Sequence, residues 1–314
     1  MINNIDPVLF SFGPLAIRYY GLIYMSGFII AYFFLKYYGI TRGHVKNLTK
    51  KDLDDFIFYN VIGVVVGARL FEILFYDPGY YFSHPSKMLA LWEGGLSFHG
   101  GLFGVAATTL IFCKVKKIAP LRFGDVISIP AALAHFFGRF ANFLNSELYG
   151  KVLPQKTWYA VKFIRSDEAM AIKNKILAAQ PELANNPDLL QSMLIEQVPW
   201  RLPTQLFESL KNLFIFAVLV LLFKYREKLK LKDGFIFWVF MILYGSIRFV
   251  IEAYKDVYVD TFHGLSTGQL LCIPMVLIGI GGIIYVYLRK PKLEAAALNQ
   301  KKEIVKKAKK KKSK

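Results

Sequence analysis

Charged side chains stand in this chain where apolar helices would be expected to exclude them: His99 in HGGLFG, Arg139 and Glu147 in GRFANFLNSE, and Arg248 and Glu252 in YGSIRFVIE. A charge at the centre of a membrane helix costs about 2.5 to 3.5 kcal/mol on insertion scales. Such residues therefore imply mutual pairing, a polar cavity or a charged substrate. Two arginines at one depth suit a phosphate, because guanidinium offers a planar fork to phosphate oxygens and keeps its proton. A histidine, which titrates near neutrality, adds a candidate general base or a hydrogen-bonding group.

The elements that must carry these residues are helices. Of the 314 residues 55% are apolar and 16% aromatic, with a mean hydropathy of +0.38, which excludes an ordinary soluble globule. Apolar runs predict an all-α, polytopic integral membrane protein with about seven transmembrane helices, at about 18–37, 54–76, 97–113, 124–143, 205–223, 235–253 and 268–288. Basic residues alternate between loops. Arg42, Lys46, Lys50 and Lys51, then Lys114, Lys116, Lys117 and Arg122, then Lys224, Arg226, Lys228, Lys230 and Lys232 mark cytoplasmic loops. The N-terminus is then outside and the C-terminus inside. The first span has no cleavage site of small residues after it and is expected to be retained.

The predicted organisation is a transmembrane catalytic unit over residues 1–290 and a basic, disordered cytoplasmic tail over 291–314. Between the fourth and fifth spans an extracytoplasmic cap segment, 151–203, is expected to hold an amphipathic helix at about 166–180 and a second at about 187–197, with Pro181 and Asn185-Asn186 as breaks. Much of the +18 formal charge lies in the inner loops and the tail, which would attract anionic lipids. No aromatic interleaving accompanies those lysines, so nucleic acid is not an expected partner. Cys113 and Cys272 fall at opposite membrane sides, which argues against a disulfide or a thiolate metal site, and no metal or cofactor is expected.

On this topology Tyr20, Arg69, Glu72, His99, Arg139, Asn142, Gln205, Glu208, Arg248, Glu252 and Gln269 share the outer half of the bundle. Arg139, Asn142, Asn145, Ser146 and Tyr149 line one helical face. Tyr244, Arg248 and Glu252 repeat at i, i+4, i+8, so Arg248 and Glu252 are placed either to satisfy each other or to bind a ligand. Arg69 and Glu72, at i, i+3, suit a structural pair, and His135 reads as a packed core histidine. Gly63-x-x-x-Gly67 and Gly100-x-x-x-Gly104 permit close helix packing. Gly100 and Gly101 beside His99 would also leave room for a substrate. A lipid-processing enzyme, a transporter and a seven-span receptor all meet this pattern in part. A transporter needs polar access at the midplane from both sides, and runs such as FAVLVLLF offer little of it. An enzyme acting on a phospholipid headgroup fits best.

At these residues the chain resembles the prolipoprotein diacylglyceryl transferases of bacteria. The resemblance rests on RYYGLIY, GARLFEILFY, WEGGLSFHGGLFG, GRFANFLNSELYG, LPTQLFES, YGSIRFVIE and LSTGQLLCIPM, in this order and over nearly the whole chain. It implies transfer of the sn-1,2-diacylglyceryl group from phosphatidylglycerol to the thiol of a prelipoprotein lipobox cysteine, with release of glycerol 1-phosphate. It further implies a bacterial inner membrane, prelipoprotein signal peptides as partners and an extracytoplasmic active site.

The family's functional positions match here as Tyr20, His99, Arg139, Asn142, Glu147, Gly150, Tyr244, Arg248 and Glu252. Arg139 and Arg248 would stabilise charge growing on the departing phosphate. His99 would act as thiol base or headgroup ligand, Tyr20 and Asn142 would orient the lipid, and Glu252 or Glu147 would hold an arginine. The family's His-Pro-Ser-Gln-Leu-Tyr-Glu stands here as Leu202 to Glu208, without the His and the phenol. Ala141 and Thr267 replace a usual Gly and Met.

Overall fold

A computed structural model describes residues 1–12, 15–91, 94–256 and 264–289; the predicted tail at 291–314 and the Trp92-Glu93 part of one motif lie outside the described residues. The chain opens with β1 (Ile2–Asn3) and an antiparallel hairpin, β2 (Val8–Phe12) and β3 (Leu15–Arg18), that leads into α1 (Tyr19–Phe34), prolonged by a π-helical stretch, Leu35–Thr41. Next come α2 (Lys50–Phe71), continued by π-helical Glu72–Tyr76, short α3 (Pro78–Ser83), α4 (Phe98–Val115) and α5 (Pro120–Leu144). After β4 (Val152–Leu153) and β5 (Lys162–Phe163) follow α6 (Asp167–Ala179), α7 (Pro187–Gln197) and β6 (Trp200–Arg201). Three long helices, α8 (Thr204–Lys224), α9 (Phe235–Glu252) and α10 (Thr267–Leu288), complete the described chain.

Local chemistry sets the helix ends. Thr49 and Asp52 form a reciprocal capping box at α2, and Ser266 and Gln269 form another at α10. The Asp125 carboxylate of α5 accepts from the Gly234 and Phe237 amides at 2.7 and 2.9 Å, placing a negative group at the N-terminus of α9. The helices predicted for the segment 151–203 are α6 and α7, capped by Ser166 and Asn186 and separated by a 3₁₀ turn at Pro181–Asn185.

The long helices occur in the order of the predicted spans, but their apolarity is uneven. Among the described residues, five stretches are long and apolar enough to cross a membrane: Tyr19–Thr41, Lys50–Tyr76, Thr204–Lys224, Phe235–Glu252 and Thr267–Leu288. The apolar part of α4 is shorter, His99–Val115, and α5 carries Arg122, Asp125 and Arg139. Phe58, Ile62, Val66 and Leu70 on α2, and Leu271, Leu277, Ile278 and Ile284 on α10, are exposed. So much apolar surface turned outward is what lipid contact requires and water would oppose, as in a multi-pass membrane protein.

Packing divides the bundle lengthwise. Helix α2 pairs with α4, α9 with α10, and α5 with both α8 and α1. Leu53, Phe56, Phe112, Phe123, Val126, Ile129, Ile215, Leu219 and Ile236 form one apolar core in the half away from α6 and α7. The other half holds the polar side chains and is covered by a small head. In the head, Ile164, Ala169, Ile176, Leu183, Leu190, Leu194 and Val198 bury one another, and β1 pairs in parallel with β5. The Met1 ammonium donates to the Ala160 carbonyl at 2.9 Å and Asn3 Nδ2 to that of Phe143 at 2.7 Å, so the N-terminus fastens head to bundle.

The contact between α2 and α4 depends on glycine. A Cβ on Gly104 would overlap the Gly63 carbonyl, and one on Gly100 would overlap that of Gly67. Gly104→Ala is expected to force α2 and α4 apart at a cost of about 1–3 kcal/mol, seen as a lower melting temperature in detergent. Gly281→Ala, where a Cβ meets nothing within 4 Å, serves as the control and should leave that temperature unchanged.

Candidate active site

His99 owes its position to a buried arginine on the neighbouring helix. The guanidinium of Arg69, 6% exposed, donates to the carbonyls of Met88, Gly94 and Gly95 at 2.9, 2.7 and 2.8 Å and to the Tyr81 hydroxyl at 3.1 Å. Arg69 therefore does not form the expected pair with Glu72; several loop carbonyls offer its fork more acceptors than one carboxylate. Gly94 and Gly95, at φ +88° and +71°, supply the left-handed turn that brings those carbonyls round. The chain then reaches Ser97, whose N–H donates to Ala68 at 3.1 Å and whose Oγ accepts from Gly100 N at 3.2 Å. His99 emerges in the first turn of α4, exposed, with Nδ1 3.0 Å from the Tyr76 hydroxyl. Gly100 is spent on the contact with Gly67, whereas a Cβ on Gly101 would meet Val64 at an ordinary 3.6 Å.

A second group of residues converges from α5, α8 and α9. Arg139 Nε lies 2.6 Å from Glu208 Oε2, and Lys255 Nζ lies 2.5 Å from Glu208 Oε1 and 3.0 Å from Glu252 Oε2. Arg248 Nη2 stands 3.7 Å from Glu252, and its Nη1 donates to the Tyr244 hydroxyl at 3.3 Å. Arg139, Glu208, Lys255, Glu252 and Arg248 thus form one alternating chain of charges. Glu208, 1% exposed, sits at its centre. Glu252 is thus beside an arginine, Arg248, as expected, whereas Arg139 is held by Glu208, on a facing helix.

Glu147 has another task. Past the end of α5 the backbone turns through Ser146 and Leu148, both at positive φ, and Glu147 Oε1 accepts from Asn142 Nδ2 at 2.6 Å. Gln205 Nε2 donates to the Glu147 carbonyl at 2.7 Å and Thr204 Oγ1 to that of Leu148 at 3.2 Å, which locks this turn to the start of α8. Gly150 must be small: a Cβ there would come within 2.6 Å of Thr204 Cγ2 and of the Tyr254 carbonyl. Its N–H donates to Leu202 at 2.8 Å.

The head reaches this site through Arg201. Its guanidinium bonds Glu168 at 2.7 Å, Asp256 at 2.5 Å and the Gly150 carbonyl at 3.2 Å. Burial of Arg201 opposes its charge, but the bonds to Glu168 and Asp256 outweigh burial and raise its pKa above the usual value. Fixing Asp256 fixes the adjoining Lys255, a residue that the sequence presents only as a loop lysine.

Tyr20, half-buried, begins α1, which packs along α5. His135 is exposed rather than packed in the core. Its Nδ1 lies 2.7 Å from the Ala131 carbonyl and its ring meets that of Tyr244 edge-on at 5.4 Å. The structure thus joins Arg139, Tyr244, Arg248 and Glu252 in one network and Asn142, Glu147 and Gly150 in an adjoining turn. The contact described for His99 is the one to Tyr76.

Residues 7–285 match the family model for prolipoprotein diacylglyceryl transferase. The chain belongs to the prolipoprotein diacylglyceryl transferase family. It is therefore a transferase. It is 36% identical over 281 residues to the phosphatidylglycerol–prolipoprotein diacylglyceryl transferase of Azospirillum brasilense, covering 88% of this chain and 92% of that protein. The enzyme of the same name from Bordetella parapertussis is 38% identical over 296 residues, 92% and 97% of the two chains, and that of Burkholderia ambifaria 38% over 307, 94% and 98%. In this diacylglyceryl transferase the charge chain centred on Glu208 lies inside the matched region. Glu208→Ala leaves Arg139 and Lys255 without their shared carboxylate. A loss of about 3–5 kcal/mol is expected, the cost of unpairing a buried ion pair, measured as a drop in denaturant midpoint, with Glu208→Gln falling between.

Proposed function

We propose that this transferase moves the sn-1,2-diacylglyceryl group of phosphatidylglycerol onto the thiol of a prelipoprotein lipobox cysteine. The observation that carries the reading is the state of Arg139. Its Nε is pinned by Glu208, while among the described residues its two terminal nitrogens have no protein acceptor. Arg248, held by Tyr244 and Glu252, is the second cation of the same network. Together they suit a phosphodiester, to which guanidinium can offer paired donors. The relatives' names, which include both phosphatidylglycerol and prolipoprotein, support the substrates.

In the proposed reaction the cysteine thiol loses its proton as sulfur attacks the glycerol carbon. The C–O bond to phosphate breaks with its electron pair on oxygen, giving a thioether and glycerol 1-phosphate. Arg139 and Arg248 stabilise the charge that grows on phosphate, and Tyr20, Asn142, Gly150 and Gly101 shape the lipid's seat. His99, held by Tyr76, takes the thiol proton; a free thiol has a pKa near 8.5 and attacks as thiolate.

The remaining features give the enzyme an orientation. The loops carrying Arg42, Lys46, Lys117, Lys228 and Lys232 lie at the end of the bundle opposite the head, which favours the cytoplasm for that end. We accordingly read seven membrane spans, an extracytoplasmic head at 151–203 and an active site facing outward from the bacterial inner membrane. The tail at 291–314 would meet anionic lipid inside.

Purified protein mixed with phosphatidylglycerol vesicles and a lipobox-cysteine peptide is expected to yield a peptide heavier by one diacylglyceryl group; a transporter or receptor would yield none. Arg139→Ala should abolish product while the protein still inserts, and full activity would sink the phosphate-clamp reading. His99→Asn keeps a hydrogen-bonding group but cannot take a proton, so retained turnover would exclude an obligatory base.

A further inference from the structure

A further buried charge on α8, that of Lys211, lies outside the network above. Helix α8 buries Thr204, Gln205, Glu208, Ser209, Lys211 and Asn212 before the same face turns apolar at Ile215, Leu219 and Phe223. From Thr204 to Lys211 is about 10 Å of helix, so Lys211 marks the floor of the polar half. It is 5% exposed, and its ammonium lies 3.9 Å above the Tyr244 ring. Among the described residues it has no hydrogen-bond acceptor and no carboxylate in ion-pair contact. The charged groups that act on it are Glu208 and three cations: Arg248, Arg139 and Lys255.

An ammonium in this position is doubly costly. Three N–H donors are buried without an acceptor, and neighbouring positive charge adds repulsion. A cation–π contact offsets only part of the cost of desolvating the ion. Counting the cluster, Arg139, Lys211, Arg248 and Lys255 supply four positive charges and Glu208 and Glu252 two negative ones, an excess of two. A bound phosphate monoester dianion would cancel this excess, and a phosphodiester half of it. Tyr244 fixes the geometry, since Lys211 sits on its ring face and Arg248 on its hydroxyl, so both cations flank one side chain.

We propose that Lys211 is a third cation of the phosphate site, donating from below to an oxygen that Arg139 and Arg248 do not take. The assignment rests on the phosphate reading of those two arginines and adds to it a chain-specific contact from α8. The ligand chemistry is a phosphate ester, supplied either by a lipid headgroup or by the soluble glycerol phosphate released from it.

The test uses the full-length protein in detergent, with Lys211→Met and Lys211→Arg. Phosphatidylglycerol and free glycerol 1-phosphate are titrated separately by a binding assay, alongside transfer kinetics and melting temperature. For Lys211→Met at least tenfold weaker binding of one or both esters is expected, about 1.4 kcal/mol, with kcat/KM lower in step and Lys211→Arg restoring most of it. Weakening confined to phosphatidylglycerol assigns the contact to the lipid-bound phosphate; weakening of both assigns it to the phosphate in either state. The melting temperature of unliganded Lys211→Met should be equal or higher, because an unpaired buried charge is removed. A purely structural lysine predicts the reverse, a lower melting temperature with unchanged binding, and that result overturns the proposal, as does unchanged binding with unchanged stability. Failure of the wild-type protein to make a thioether would refute the transfer reaction, while the binding titrations would still decide the role of Lys211.

Discussion

The ion network at the head end of this bundle is built around Glu208. A carboxylate 1% exposed survives in a low-dielectric interior only if cations meet it, and Arg139 at 2.6 Å and Lys255 at 2.5 Å both do. Those cations come from different elements, α5 and the segment after α9, so the ion cluster also specifies how three elements meet. Hydrophobic packing alone would not do this, because lipid outside the bundle is as apolar as a leucine core inside it. The polar half therefore owes its arrangement to charges with few other places to go.

The cost of assembling such a cluster is met by rigid surroundings rather than by the cluster itself. On one side, the apolar half seats α5 and α8 through Val126, Ile129, Ile215 and Leu219, each fully or almost fully buried. On the other, Arg201 clasps Glu168 and Asp256 and thereby holds the segment after α9 on which Lys255 lies, bridged to Gly150. On the phosphate reading proposed for these arginines, such pre-organisation would favour the reaction, since dipoles and charges already in place need not reorganise as the bond breaks. Arg139 illustrates the result: Glu208 fixes one guanidinium nitrogen, and among the described residues the other two have no protein acceptor.

The helices were legible in the sequence because apolar runs, caps and prolines act locally; Ser166, Pro181 and Asn186 bound α6 and α7 closely as expected. The polar side chains at one end of the bundle were legible too, because insertion costs make each conspicuous. What the pattern could not supply was partnership. Arg69 and Glu72 share a helix and suggest each other, yet Arg69 turns to carbonyls from Lys87 to Gly95. Glu252 was readable beside Arg248 at i+4, whereas Glu208, Lys255 and Lys211 draw their meaning from residues 33 or more positions away. His135 looked like a core residue because its neighbours in sequence are apolar; only the packing of α5 reveals that its ring is exposed beside Tyr244.

The departures of the Leu202–Glu208 segment from the family pattern follow the same logic. Leu202, standing where the family has histidine, contributes its backbone: its carbonyl accepts from Gly150 and Thr204, and its N–H donates to Lys151, bonds that any non-proline residue could make. Thr204 in place of serine keeps the hydroxyl that reaches Leu148. Phe207 in place of tyrosine loses a phenol from a half-buried position. Gln205 and Glu208, by contrast, act through their side chains, one on the Glu147 carbonyl and one on two cations. Both stand where the family pattern has the same residue, as Pro203 and Leu206 also do. The two polar identities are thus side chains whose charge or amide reaches across to another segment, whereas at Leu202 the bonds described are made by the backbone.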